Sequence, residues 1–395
     1  MKKNVFAILR KGTAFAAALL CIGCMAAPVW ADKDSDEEVE IYTSGDYTYS
    51  LMLSVENQNK KAACIESYTG SETTLVLPET IDGLPVVALG DNAFVQSHML
   101  EEVTLPRQMV GIGMATFADC SALKNYYVAE GNPYFESIDG VLYAEDGTYL
   151  VRYPIGRDPV DVVVPDGVYD IGYVAFAYSR SLTTIQLPDS LEQIGAWAFA
   201  DCPQLNHVKI PESVTQLEDF LFFRCFGLED ITLPDTIKSI GDSTFASTGL
   251  KEFTIPSGCT TIGQATFANT EMTEITVPKT VTSIDFSAFG WKLDRTEQLY
   301  ADESFVIRGY KGTVAEQYAT DTENGNVFTF IALDEEIKQT DTNSKNPSHT
   351  VTTTAKNAAT AFLAELTPLR IAGLVISVLA LIAVIIGGAI WMKKK

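Results

Sequence analysis

Eight phenylalanines stand at near-constant spacing along this 395-residue chain: Phe94, Phe117, Phe176, Phe199, Phe222, Phe245, Phe267 and Phe289. The steps between them are 23, 59, 23, 23, 23, 22 and 22 residues, and 59 is one period plus a 36-residue insertion. A fixed period in the twenties is the signature of a solenoid, in which each coil touches only its neighbours. That constraint comes before any motif. It moves the question of function from a catalytic pocket to what a repeated surface presents.

One unit shows why the period exists. From Leu182 the chain reads LTTIQLPDSLEQIGAWAFADCPQ, and the next unit opens at Leu205. The alternation of Ile185 and Leu187 predicts a short strand with one buried face. Pro188 cannot donate to a ladder and should end that strand. Leu191 and Ile194 turn inward again, and Gly195 is expected at a backbone corner closed to most residues. Ala198 and Phe199 are then expected on one helical turn whose ring fills the coil. A single coil buries too little surface to offset its own chain entropy, whereas stacked coils share one core.

The other units repeat the skeleton. Leu105-Pro106, Ile210-Pro211, Leu233-Pro234, Ile255-Pro256 and Val277-Pro278 mark strand ends; Ile112-Gly113, Ile171-Gly172, Ile240-Gly241 and Ile262-Gly263 mark corners. Glu218 and Asp285 replace Gly at two corners, so those coils should differ locally. This pattern resembles the BspA-like (Treponema-type) leucine-rich repeat family of bacterial surface proteins, over roughly residues 47–333. Residues 71–94, with the step IDGLPV, resemble the family's first repeat, and residues 310–333 its closing segment. The resemblance implies a leucine-rich-repeat-like, right-handed coil stack of short parallel strands and one-turn helices. It also implies an extracellular scaffold for adhesion or partner binding, with the partner left unnamed.

The ends of the chain predict its compartment. Residues 1–31 carry Lys2, Lys3, Arg10 and Lys11, an apolar middle and Val29-Trp30-Ala31. That order is a secretory signal peptide with a cut after Ala31. Residues 371–392 form a run of 22 without a charge, followed by Lys393, Lys394 and Lys395. As a helix the run would span roughly 33 Å, enough for a single transmembrane pass with the lysines in the cytoplasm. Between them the sequence divides into an N-terminal cap (32–70), repeats (71–299) carrying the insertion at 125–160, a C-terminal cap (300–333) and a polar stalk (334–370).

Composition narrows the partners. Without the leader's four cations, 24 Lys and Arg remain against 51 Asp and Glu, a charge of about −27. Such a surface disfavours nucleic acid. Five cysteines remain after the leader: Cys64, Cys120, Cys202, Cys225 and Cys259. An odd count cannot fully pair. Cys120, Cys202 and Cys225 each follow a repeat Phe by three positions, which marks a small buried site. A bridge between Cys202 and Cys225, on adjacent coils, stays open. His98, His207 and His349 are scattered, and no nucleophile elbow, zinc-protease motif or phosphate loop occurs, so neither an enzyme nor a cofactor is expected.

Two candidate partner surfaces emerge. If the residues before each Leu-Pro step form a parallel sheet, the outward positions align coil by coil, about 4.8 Å apart. The last coils then stack Asp230, Glu252 and Glu274 beside Thr232, Thr254 and Thr276. Opposed like charges are mildly destabilising, so the row hints at a cationic partner or Ca²⁺; carboxylates splayed into water explain it as well. The insertion reads as a hairpin around Asp146-Gly147 and supplies Tyr134, Tyr143, Tyr149 and Tyr153 as a second candidate contact surface. A module that merely widens one coil fits it equally. The expected function is a membrane-anchored extracellular scaffold for protein or glycan ligands; the alternative is an envelope spacer without a ligand.

Overall fold

The computed structural model describes residues 39–53, 60–144, 146–157, 161–296 and 298–334. The leader, the stalk from residue 335, the apolar run and the basic tail lie outside the described residues. The chain divides into two compact units, residues 1–341 and 342–395, and every described residue belongs to the first. Among the described residues no helix is long and apolar enough to cross a membrane.

Most coils contain two short strands and a pair of turns. In the coil opening at Leu182 the first strand is Thr184–Gln186, with Ile185 buried and Gln186 exposed. Pro188 closes it, and the second strand, Gln193–Ile194, follows. First strands pair in parallel one repeat apart: Asp161 with Thr184, Thr184 with His207, His207 with Asp230. Second strands do the same from Gln216 through Ser239 and Thr261 to Ser283. An antiparallel meander of Ile41–Ser44, Tyr47–Leu53 and Lys61–Tyr68 precedes the stack, joined in parallel to Leu84–Leu89. At the other end Val306–Gly309 and Thr329–Ala332 continue the ladder of Glu274–Thr276, beside the helix Val314–Thr320.

The expected helical turn around each Phe is replaced by two tight turns. In most coils the residues two before and two after the Phe take the left-handed region, as Trp197 (φ 61°) and Asp201 (φ 55°) do around Phe199; Ala115 and Trp291 do not. A helix would return each N–H to its own chain four residues back. Instead Trp197, Phe199 and Asp201 donate to the next coil, at Asp219 O (3.1 Å), Leu221 O (3.0 Å) and Phe223 O (2.8 Å). The chain satisfies its donors between coils, and the stack gains a hydrogen-bonded third side.

The corner glycines also act differently from expectation. Gly195 is not among the residues of positive φ; a Cβ there would lie 2.6 Å from the Tyr173 nitrogen of the preceding coil. Glycine is required for close approach of two backbones. Where Glu218 fills the corner the ladder breaks: Gln193–Ile194 pairs back to Asp170–Ile171, but not forward to Gln216–Leu217. Asp285 is accommodated without a break, since Ser283–Ile284 stays paired with Thr261–Ile262.

The repeat rings form a column. Centroids lie 5.2 Å apart for Phe176 and Phe199, 5.4 Å for Phe199 and Phe222, and 5.7 Å for Phe222 and Phe245. Tyr318 closes one end edge-on against Phe289 at 5.6 Å, and Tyr68 meets Phe94 at 5.2 Å near the other. Among the described residues Cys120, Cys202, Cys225 and Cys259 are free thiols, so no bridge joins Cys202 to Cys225. Cys120, Cys202 and Cys225 donate Sγ–H to the carbonyls of Phe94, Phe176 and Phe199 one coil back, at 3.0, 3.2 and 3.0 Å. The recurring cysteine is thus a buried inter-coil donor.

The insertion is a wall between two cores. Phe135–Ile138, Val141–Ala144 and Tyr149–Arg152 form an antiparallel sheet whose last strand joins Asp170–Ile171 in parallel. Along the wall Val141, Tyr143 and Leu150 pack into the core running to Phe328, while Leu142, Ala144 and Val151 pack into the core that begins at Tyr49. Arg152, 5% exposed, ties the two sides together. Its guanidinium donates to Val151 O (2.8 Å), Tyr173 O (2.8 Å), Gly113 O (3.1 Å) and Met114 O (2.7 Å).

Candidate partner-binding surfaces

Strand alternation puts Asp230, Thr232, Glu252, Thr254, Glu274 and Thr276 on the solvent side, and all six are exposed. They do not form one continuous row. The ladder from Asp161–Val163 ends at Asp230–Thr232, and a separate one begins at Glu274–Thr276. Between them Glu252 lies outside any strand, and Thr254 makes a single parallel bridge to Thr276. This coil carries Phe253 where others carry Ile185, Val208, Ile231 and Ile275. Its ring packs against Phe245 (5.2 Å) and Phe267 (4.5 Å).

The outer two carboxylates also have basic neighbours. Asp230 Oδ2 lies 3.0 Å from His207 Nδ1, and Glu274 Oε2 lies 3.2 Å from Arg308 Nε. In place of the expected block of acids without partners, Asp230 has a hydrogen-bonding partner in His207 and Glu274 an ion-pair partner in Arg308, on either side of Glu252. Among the described residues no group of three His, Cys, Asp or Glu side chains is placed to hold a metal ion.

The insertion's tyrosines are mostly structural, which corrects the expectation of an exposed aromatic surface. Tyr143 is 3% exposed, and burial pushes its phenol up to about 12. Tyr153 stacks on Phe176 at 5.0 Å and lies 23 residues before it, so it is the column aromatic of the inserted coil. Tyr134 and Tyr149 are half-buried, and Tyr127, just ahead of the hairpin, is the exposed ring of this region at 42%. The hairpin does border an open cleft of about 640 Å³, lined by Lys124, Asp139, Tyr143, Tyr153, Arg157 and Val163 among others. Arg157 is already engaged there, donating to Lys124 O (2.6 Å), Asn125 Oδ1 (2.9 Å) and Asp139 O.

A further surface cluster escapes the sequence argument. Trp197, Phe220 and Phe223 meet on the turn side of two adjacent coils, all half-buried. The run Phe220-Leu-Phe-Phe-Arg-Cys-Phe226 is the signal, because most other coils carry Ser or Ala at the positions of Phe220 and Phe223.

Parallel ladders one repeat apart, a stacked ring per coil and short Leu-Pro strands define a leucine-rich repeat solenoid. The sequence profile of the BspA type leucine rich repeat region matches in six copies, over residues 66–139 and 169–293. The chain belongs to this family. Among solved structures it is similar to a leucine-rich repeat protein of Treponema pallidum (27% identity, 53% of this chain and 89% of that one, TM-score 0.34). It is also similar to one from Bacteroides ovatus (19%, 73% and 76%, TM-score 0.42) and to the pneumococcal vaccine antigen PcpA (16%, 75% and 99%, TM-score 0.44). No curated protein matches the chain.

Proposed function

We propose that this chain is a membrane-anchored extracellular scaffold that binds protein or glycan partners and carries out no catalysis itself. The observation that carries the reading is the outward face of the strand ladder: Asp161, Thr184, His207 and Asp230 are held in register on successive coils, with Asp161, His207 and Asp230 exposed and Thr184 half-buried. A rigid, repeated and chemically varied face presents a large contact area at little cost in ordering. The leader-like residues 1–31 and the apolar run 371–392 with its terminal lysines support secretion and a single membrane pass. The test is to present the purified full-length protein in liposomes to an array of extracellular-matrix proteins, cell-surface proteins and glycans. Saturable binding that weakens when Thr184, His207 and Lys209 are changed together supports the scaffold. Absence of saturable binding to every class would return the alternative, an envelope spacer.

A further inference from the structure

The stacked aromatic cluster on the turn side is not explained by the coils that carry it. Trp197 and Phe220 stack at 4.2 Å with 15° between their planes, and Phe223 meets them edge-on at 5.8 and 5.7 Å. Trp197 and Phe220 have left-handed backbones, φ 61° and 57°. Equivalent left-handed positions in other coils carry Asn92, Ser243, Ala265 and Ser287, small or short polar residues that this region tolerates better, and in one coil Val174. Phe223 stands where Ala118, Ala177, Ala200, Ala246 and Ala268 stand elsewhere. The column of core rings is already filled by Phe199 and Phe222 in these coils. The extra rings therefore sit at unfavourable positions and remain partly in water, while Phe226 of the same coil is 54% exposed.

Acidic residues adjoin the cluster, with Arg224 as its basic neighbour. Asp219 precedes Phe220, and its carbonyl accepts the Trp197 N–H; the carbonyl of Asp242 accepts the Phe220 N–H at 2.8 Å. Burial first, with Asp219 adding to it, lifts the carboxyls of Glu218 and Asp242 above the ordinary range. Arg224, next to Phe223, is held by Asp201 at 3.1 Å and lies over the Phe226 ring at 5.8 Å. Electron-rich ring faces bordered by acids match a planar, weakly hydrated cation better than a neutral group.

We propose that Trp197, Phe220 and Phe223 form a docking surface for an arginine-bearing segment of a partner polypeptide, with ring faces receiving the guanidinium and Asp219 and Asp242 complementing its charge. The proposal rests on the scaffold reading and gives it a second face, on the turn side. The test titrates full-length protein in detergent with fluorescently labelled nona-arginine, with nona-lysine and a neutral oligosaccharide alongside. Trp197→Asn with Phe220→Ser, residues native to the same position elsewhere in the chain, should weaken nona-arginine by about tenfold or more, with melting unchanged or raised. Asp230→Asn, Glu252→Gln and Glu274→Gln together should change it by no more than about twofold, and nona-lysine should bind several-fold more weakly than nona-arginine. Equal loss in the ladder variant would reduce the effect to general acidity and overturn the site. So would unchanged binding in the aromatic variant, or oligosaccharide saturating the cluster in place of the peptide. If the double variant melts early, Phe223→Ala takes its place. Partner capture that survives the aromatic variants would sink this site and leave the scaffold standing.

Discussion

Arg152 offers the most quantitative test of how the two cores are joined. Its guanidinium is buried in the wall formed by the insertion and reaches carbonyls on both sides: Gly113 and Met114 in one coil, Tyr173 in another, and its neighbour Val151. Gly113 O keeps a second donor, Thr116 Oγ1 at 2.8 Å, so replacing Arg152 with Met strands mainly the other three oxygens. A stranded buried acceptor costs about 1–3 kcal/mol, while burying an apolar chain in place of a cation recovers part of that. The net loss should be about 3–6 kcal/mol, with Arg152→Lys in between because one ammonium cannot fork to both sides. Coupling in a solenoid is local, so the loss should show as a breach at the wall. The Tyr153 N–H donates to Ala175 O and the Gly172 N–H to Leu150 O, both at 2.8 Å across it. In hydrogen exchange of Arg152→Met these amides should open roughly a hundredfold or more faster, while Gly263, bonded to Ile240 O four coils on, keeps its protection. Unchanged exchange at Tyr153 and Gly172, or an equal loss at Gly263, would refute the account of Arg152 as the tie between cores.

Phe199→Ala removes a fully buried ring stacked on both sides and should cost about 3–5 kcal/mol, with exchange rising chiefly in the coils from Leu182 to Leu228. Burial pushes the Cys120 thiol up to about 12 and raises those of Cys202 and Cys259, so at pH 8.5 a thiol like Cys120 holds roughly one thiolate in a few thousand. Native protein should accordingly leave Cys120, Cys202 and Cys259 unlabelled by iodoacetamide on a timescale that labels all of them in urea, and rapid native labelling would contradict the inter-coil donor role. Burial also raises the carboxyls of Asp201, Glu218 and Asp242, so the folded chain holds protons there to higher pH than the unfolded chain does. Stability should rise as pH is lowered from 7 toward about 5, then fall below about 4 as Asp235, Asp294 and Asp302, held low by hydrogen bonds to Ser257, Thr296 and Ser304, take up protons. Asp242→Asn should flatten the rise in melting temperature between pH 7 and 5.

The period was legible because a ring that must stack on its neighbours cannot drift in spacing. Phe199 at 5.2 and 5.4 Å from the rings on either side fixes the 23-residue step. The strands were legible from alternation ahead of Pro188 and its equivalents. What the sequence misled on was the path around each Phe. Ala198 and Phe199 suit a helical turn locally, yet their neighbours donate to the next coil, and such inter-coil bonds leave no trace in single-coil periodicity. Gly195 misled in a similar way: its need is room beside Tyr173, a tertiary contact, while the residues that do turn left-handed in this coil are Trp197 and Asp201.

The same distinction decides what could be read of the surfaces. Alternation correctly puts Asp230, Glu252 and Glu274 in solvent, but their surroundings, with Phe253 in the middle coil and His207 and Arg308 beside the outer two acids, are not implied by a motif. The tyrosines of the insertion count as surface only if the hairpin has a wet face; with Leu142 in one core and Tyr143 in the other, it has none along Val141–Ala144. Trp197 and Phe220 invert the case. Their signal is a departure from the repeat, a large ring where Asn92 or Ser243 would relax the backbone, and a departure is visible only once the positions of all coils are superimposed. In a solenoid the regular positions report what holds the coils together. Function is therefore better sought where one or two adjacent coils break the pattern at some cost to themselves, which on this chain leads to the turn side at Trp197 and Phe220 ahead of the acidic strand face.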